Sequence, residues 1–185
     1  MERRRHGYFQ KSLFLGKLKF EIAIDRSGTL LQGMRNGLFD ICICVVPANN
    51  VLDEDVKLIK NFYEELVPVS SKIWKNNFSE IPFILYNKES STRDYIDKTF
   101  FDQRIKATTI VESTNTMFMK ELALGGCGIA LLPRNVIEKE IENKKLFVKN
   151  FPFKFKRKIG IFLSRDGRIK EKDRIIKDII ANLKT

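Results

Sequence analysis

Along most of the chain, apolar residues recur with a period of two in some segments and near 3.6 in others, which predicts strands and helices in alternation. Residues 19–24 set Phe20, Ile22 and Ile24 against Lys19, Glu21 and Ala23, the pattern of a half-buried strand. A turn is expected at 25–28. From 29 to 36, Leu30, Leu31 and Met34 fall at helical spacing, and Gly37 stands where a helix C-cap belongs. Residues 39–46 are apolar except for Asp40 and read as a buried strand. Strand, short helix and strand in this order predict a βαβ unit whose second strand is parallel to the first and covered on both faces.

Two more strands are expected at 56–63 and 65–69, the first turning Val56, Leu58 and Phe62 inward, and another at 83–86. Ser90, Ser91 and Thr92 precede a helix at 93–102, with Tyr95, Ile96, Phe100 and Phe101 as its apolar stripe. A strand at 108–111, a helix at 116–124 ending at Gly125 and Gly126, and a buried strand at 129–132 stopped by Pro133 follow. Asn135 is expected to cap a polar helix running to about residue 144. Residues 159–163 predict a strand, and 170–183 a closing helix with Ile175, Ile176, Ile179, Ile180 and Leu183 on one face. Such alternation argues for an α/β protein with a parallel or mixed sheet.

Composition narrows this without changing it. At 185 residues the chain suits one domain or two small lobes, and 43% hydrophobic with 31% charged residues is the balance of a folded protein. No apolar run approaches the ~18 residues of a membrane-spanning helix, and the basic start has only scattered apolar residues, so neither a membrane span nor a cleaved secretory signal is expected. Cys42, Cys44 and Cys127 are expected to be small buried hydrophobes of a cytoplasmic protein, without disulfides. No zinc-ligand spacing occurs, and His6 is the single histidine. The net charge of +11 fits nucleic acid, an anionic ligand or a lysine-rich surface, and its spread along the chain, with clusters at 3–5 and 154–158, favours the surface reading.

Two stretches carry a family resemblance. LLQGMRNGLFDICICV, with Gly37, Asp40 and Ile41, resembles the segment of LysR-type transcription regulators in which a helix ends at glycine and an aspartate opens the next strand. VESTNTMFMKELALGGCGIALLPRNVIEKEIENKKL resembles the family's strand, turn and helix followed by Gly126, Gly128, Ile129, Ala130, Leu132 and Pro133. The loop YNKESSTRDYID, the strand KIGIFLSRD and the closing helix fall at matching places, so the resemblance covers residues 19–184. It implies a type 2 periplasmic-binding-protein-like fold, two α/β lobes joined by two crossover segments near Ser71 and Phe155. Lobe one is then 1–71 with 156–185, and lobe two is 72–155. The chain departs from the family at its start, where only MERRRHGYFQKSLFLGKL precedes the strand at Lys19. The winged helix-turn-helix and the first sensor strand are accordingly expected to be absent, with 8–18 as a shortened first helix.

The resemblance also implies an effector in the cleft between lobes. Ser90, Ser91, Thr92 and Arg93 open a helix after a strand, where free N–H groups and the helix dipole favour an anion, although a hydroxyl there also serves as a plain cap. Ser113, Thr114 and Asn115 hold the equivalent place after the next strand, and Val46, Pro47 and Ala48 are expected to form the opposite lip. Gly126, Gly128 and Pro133 read as structural, since 125–128 lacks a phosphate-loop fingerprint. Trp74 reads as a packing residue. No catalytic constellation, metal or cofactor is expected. The expected partners are a small, anionic effector and a second copy of the chain, with DNA reached only through a missing N-terminal domain and no membrane. The alternative is a solute-binding protein of the same fold, which should carry an export signal.

Overall fold

The computed structural model describes residues 21–48, 55–74 and 81–164. In chain order its elements are α1 (Ser27–Arg35), β1 (Ile41–Val45), β2 (Val56–Ser70), β3 (Pro82–Tyr86), α2 (Ser91–Asp102), β4 (Thr108–Ser113), α3 (Thr116–Leu124), β5 (Ile129–Pro133), α4 (Arg134–Glu142), β6 (Phe147–Val148) and β7 (Phe155–Ser164). The strands form one sheet in the order β1-β7-β2-β5-β3-β4, with β6 beside β2. β3 is parallel to β4 and β5, and the other ladders are antiparallel, so the sheet is mixed.

β2 and β7 are long because each passes two neighbourhoods. Residues 56–66 of β2 pair with β7, and 66–69 pair with β5. Two hydrophobic clusters lie along this course. Leu31, Met34, Cys42, Cys44, Val46, Val56 and Phe162 make the smaller one under α1, and the larger centres on Phe83, Phe100, Leu131 and Phe155 with α2, α3 and α4 around it. Trp74 packs at the edge of the larger cluster and donates its indole N–H to Ser70 Oγ at 3.1 Å.

Several elements depart from expectation. Residues 21–24 join no ladder, and Ile22 and Ile24 are 62% and 95% exposed, while 19 and 20 lie outside the described residues. Alternation of side chains makes a strand only where a neighbour accepts its backbone groups. Among the described residues no parallel βαβ unit forms here, and β1 pairs antiparallel with β7. The two strands expected at 56–63 and 65–69 are one strand of 15 residues. Glu64 does not break it, because Arg157 is its register partner on β7 and pairs with its carboxylate. α2 begins at Ser91, two residues early, since Ser90 takes the cap position. Asn135 lies inside α4 and does not cap it; Pro133, at φ −58°, is the extended cap residue. Cys42 and Cys44 are buried free thiols as expected, whereas Cys127 is exposed in the turn after α3. The short β6 was not expected, and it pairs with the end of β2. The helices expected at 8–18 and 170–183 lie outside the described residues.

Two glycines fix local geometry. At the end of α1, Gly37 has φ +69°, and Leu38 N–H donates to Gly33 O at 2.8 Å, the left-handed closure expected for this glycine. Gly128 brings the turn before β5 against the start of β3, where an added Cβ would lie 2.5 Å from Pro82 O.

Candidate effector site

β3 and β4 are parallel neighbours in a register that sets Tyr86 beside Ser113, so their carboxyl ends lie together and α2 and α3 both start there. Asn87 N–H donates to Ser113 O at 3.2 Å, and Tyr86 Oη shares a hydrogen bond with Thr116 Oγ1 at 3.2 Å. The segments 90–93 and 113–115 thus share one end of the sheet.

Capping occupies part of both helix starts. Ser90 Oγ accepts from Thr92 N–H at 3.3 Å, and Asn115 Oδ1 accepts from Met117 N–H at 3.0 Å and Phe118 N–H at 3.1 Å. Ser113 Oγ accepts from Asn115 N–H at 3.0 Å. Ser91 is half-buried and Thr114 is exposed. Thr92, buried, accepts from Arg157 Nη1 at 2.7 Å through its hydroxyl. Beside them, Asn87 Oδ1 is buried without a hydrogen-bond partner, an uncommon condition for an amide oxygen.

Arg93 is 7% exposed, and protein groups hold its guanidinium: Nε donates to Asp97 at 2.7 Å, and Nη1 donates to Tyr86 O and to Glu112, each at 2.8 Å. Burial works against this charge, and the hydrogen bonds and attraction of Asp97 and Glu112 outweigh it, raising the pKa. Arg93 also lines a cavity of about 280 Å³ between α2 and β4, away from the other site residues, with Phe100, Phe101 and Thr109.

Val46 follows β1, is buried, and donates its N–H to Lys158 O at 2.8 Å; Pro47 and Ala48 continue from it towards the surface. From α2, Tyr95 Oη donates to Val46 O at 3.0 Å. An ion pair between Arg26, ahead of α1, and Glu89, ahead of α2, bridges the same two regions. All three predicted segments are therefore linked within one region of the fold. Sequence reasoning missed Tyr95, Arg157 and Glu64 as members of it. Arg157 had a signal in the basic run at 154–158, but its position depends on a pairing 93 residues apart in sequence. Within that run, Arg157 pairs with Glu64 and Lys154 with Glu65.

Burial raises the pKa of the Tyr95 phenol, and Tyr63 and Asp94 add to the effect. A folded pKa above the unfolded one gives stability that is complete below the ordinary tyrosine value of ~10 and is lost as pH rises through the folded value. Thermal unfolding followed from about pH 8 to about pH 11 should show a steeper alkaline loss in the parent than in Tyr95→Phe. Parallel curves would contradict this.

With fold and site in view, the class is defined: the LysR substrate binding domain model matches residues 16–180, and the chain belongs to that family, with its type 2 periplasmic-binding-like fold. Among individual proteins, it is 28% identical over 124 residues to the HTH-type transcriptional regulator YjiE of Escherichia coli K12, covering 63% of this chain and 41% of that protein. It is 27% identical over 124 residues to the HTH domain-truncated transcriptional regulator QseD of Escherichia coli O157:H7, covering 63% and 51%. The matched region thus spans about half the length of these curated relatives. Of solved structures, the bromide ion-bound regulatory domain of HypT from Salmonella typhimurium superposes with a TM-score of 0.71 at 19% identity, covering 85% of this chain and 78% of that one. The Synechocystis CcmR regulatory domain in complex with 2-PG gives 0.72 at 17%, covering 89% and 84%.

Proposed function

We propose that the chain senses a small anionic metabolite in a cleft between two lobes, residues 1–71 with 156–185 and residues 72–155, and that it does so as the effector-binding part of a cytoplasmic transcription regulator. One observation carries the reading: the starts of α2 and α3 converge at the carboxyl ends of adjacent parallel strands, with the exit of β1 held against α2 by Tyr95. Ligands of open α/β sheets gather at such strand ends, and helix N-termini favour negative charge. The contacts are assigned to Ser90, Ser91, Thr92 and Arg93 on one side, Ser113, Thr114 and Asn115 beside them, and Val46, Pro47 and Ala48 opposite. Arg93 is the least available of these, since its guanidinium is held by Asp97 and Glu112 and its backbone N–H donates to Ser90 O at 2.7 Å. The bromide bound by one structural relative supports an anion, and 2-PG in the other supports a small metabolite.

DNA recognition is assigned to a winged helix-turn-helix outside residues 1–185, and pairing of two sensor domains would build the working regulator. The chemistry is binding and not catalysis. Calorimetry against small carboxylates, phosphates and sulfur oxyanions tests the reading, with Thr92→Val and Thr114→Val as variants. Each should lose about 0.5–1.5 kcal/mol of binding, or up to ~3 kcal/mol where the ligand group bonded there is charged. Thr114 is the cleaner position, because Thr92→Val also removes an acceptor from Arg157. Absence of binding across the panel, or full affinity in both variants, would overturn the site.

A further inference from the structure

An anion site gains selectivity from a fixed cation, and Arg93, the cation that sequence places there, is committed to Asp97 and Glu112. The fold supplies another. Arg157 on β7 sets Nε and Nη2 on Glu64 Oε2 at 2.7 and 2.6 Å, and Nη1 donates to Thr92 Oγ1 at 2.7 Å. Its Cζ lies 6.0 Å from the centre of the Tyr86 ring, so strand, helix and aromatic face together hold the guanidinium in one orientation. The side chains of Arg157 and Glu64 are 15% and 26% exposed, which leaves the pair weakly screened without sealing it from a ligand.

A guanidinium carries five N–H donors in a planar fork. The contacts to Glu64 and Thr92 use one on Nε and one on each terminal nitrogen. One N–H on each terminal nitrogen is left over, and a pair of guanidinium N–H groups is the donor pattern that a carboxylate accepts. We propose that Arg157 is the specificity-determining cation of the effector site, selecting a small carboxylate, with Glu64 as the group that orients it and offsets its charge. This rests on the function proposed above. Glu64 holds the Nε and Nη2 edge of the fork and the open donors are on Nη1 and Nη2, so an incoming carboxylate meets the guanidinium on the adjoining edge, with the Glu64 charge nearby as a counterweight.

The test is calorimetry of the parent, Arg157→Gln, Arg157→Lys and Glu64→Gln with acetate, lactate and benzoate, each beside its uncharged amide. Arg157→Gln should weaken the bound carboxylates about tenfold or more and leave the amides unchanged, which a loss of structure alone would not do. Arg157→Lys should restore part of the loss, because the charge returns without the fork. Glu64→Gln should tighten carboxylate binding several-fold by removing the opposing charge. Equal carboxylate affinity in Arg157→Gln, or equal losses for carboxylates and amides, would overturn the assignment. If Arg157→Gln does not fold, Glu64→Gln decides, and unchanged or weaker carboxylate binding there overturns it too. A folded parent that binds no anion of the wider panel would overturn the proposed function itself, a result distinct from any of these.

Discussion

Replacing Phe155 by alanine is expected to destabilise the fold by about 3–5 kcal/mol, the usual cost of truncating a buried aromatic ring. Phe155 opens β7 opposite Leu66 and is 1% exposed. Its ring meets those of Phe100, Phe151 and Phe153 edge-on at centroid distances of 5.2, 5.4 and 5.3 Å. Each such pair adds roughly 0.5–1.5 kcal/mol beyond area burial. The loss is a large share of the ~5–15 kcal/mol that holds a typical domain folded. It also reaches the candidate site, because Phe100 anchors the helix whose first turn carries Thr92. In urea unfolding the midpoint should fall with the slope unchanged, and Phe155→Leu should lose less than half as much. A change for alanine below about 1 kcal/mol would show that the ring cluster contributes little.

Gly128→Ala should be nearly as damaging, by overpacking instead of by a void. The added Cβ would stand 2.5 Å from Pro82 O and 3.2 Å from Pro82 C, both backbone atoms of a strand paired on both sides. A flexible side chain would step aside, but here β3 or β5 must move, and a cost of about 3 kcal/mol is expected, the upper end for overpacked cores. Gly28→Ala is the matched control. It lies in α1 with nothing within 4 Å of the new Cβ, so it should stabilise by roughly 0.5–1 kcal/mol through helix propensity. Opposite signs at the two glycines are the expected outcome of denaturant melts, and a neutral Gly128→Ala would contradict the close approach.

What was legible in the sequence was local. The helix at 116–124 coincides with α3, the Gly37 cap and the Ser90 cap form, and the apolar runs at 83–86 and 129–132 become central strands. These signals depend on periodicity and on residues within one turn of each other. Partnership was not legible. Residues 21–24 have the alternation of a strand and no ladder, while Glu64 looks like a break and is satisfied by Arg157 from the far end of the chain. The same limit applies to the site. The strand-to-helix loops were placed by local pattern, but that Arg93 would turn to Glu112, and that Tyr95 would reach Val46, depend on packing between distant segments. Position at a helix start pointed to Arg93, and long-range pairing gives Arg157 the place beside Thr92.

We propose that an anion binds where the starts of α2 and α3 meet. Backbone amide shift mapping by NMR tests it most directly, titrating the folded chain with the anion of the panel that binds best. The expected result is a saturating set of shifts concentrated at residues 90–93 and 113–115, with Val46 and Arg157 following at the same ligand concentration. Saturating shifts that leave those residues unmoved and gather elsewhere, as around the cavity lined by Lys72, Trp74 and Lys149, would contradict it.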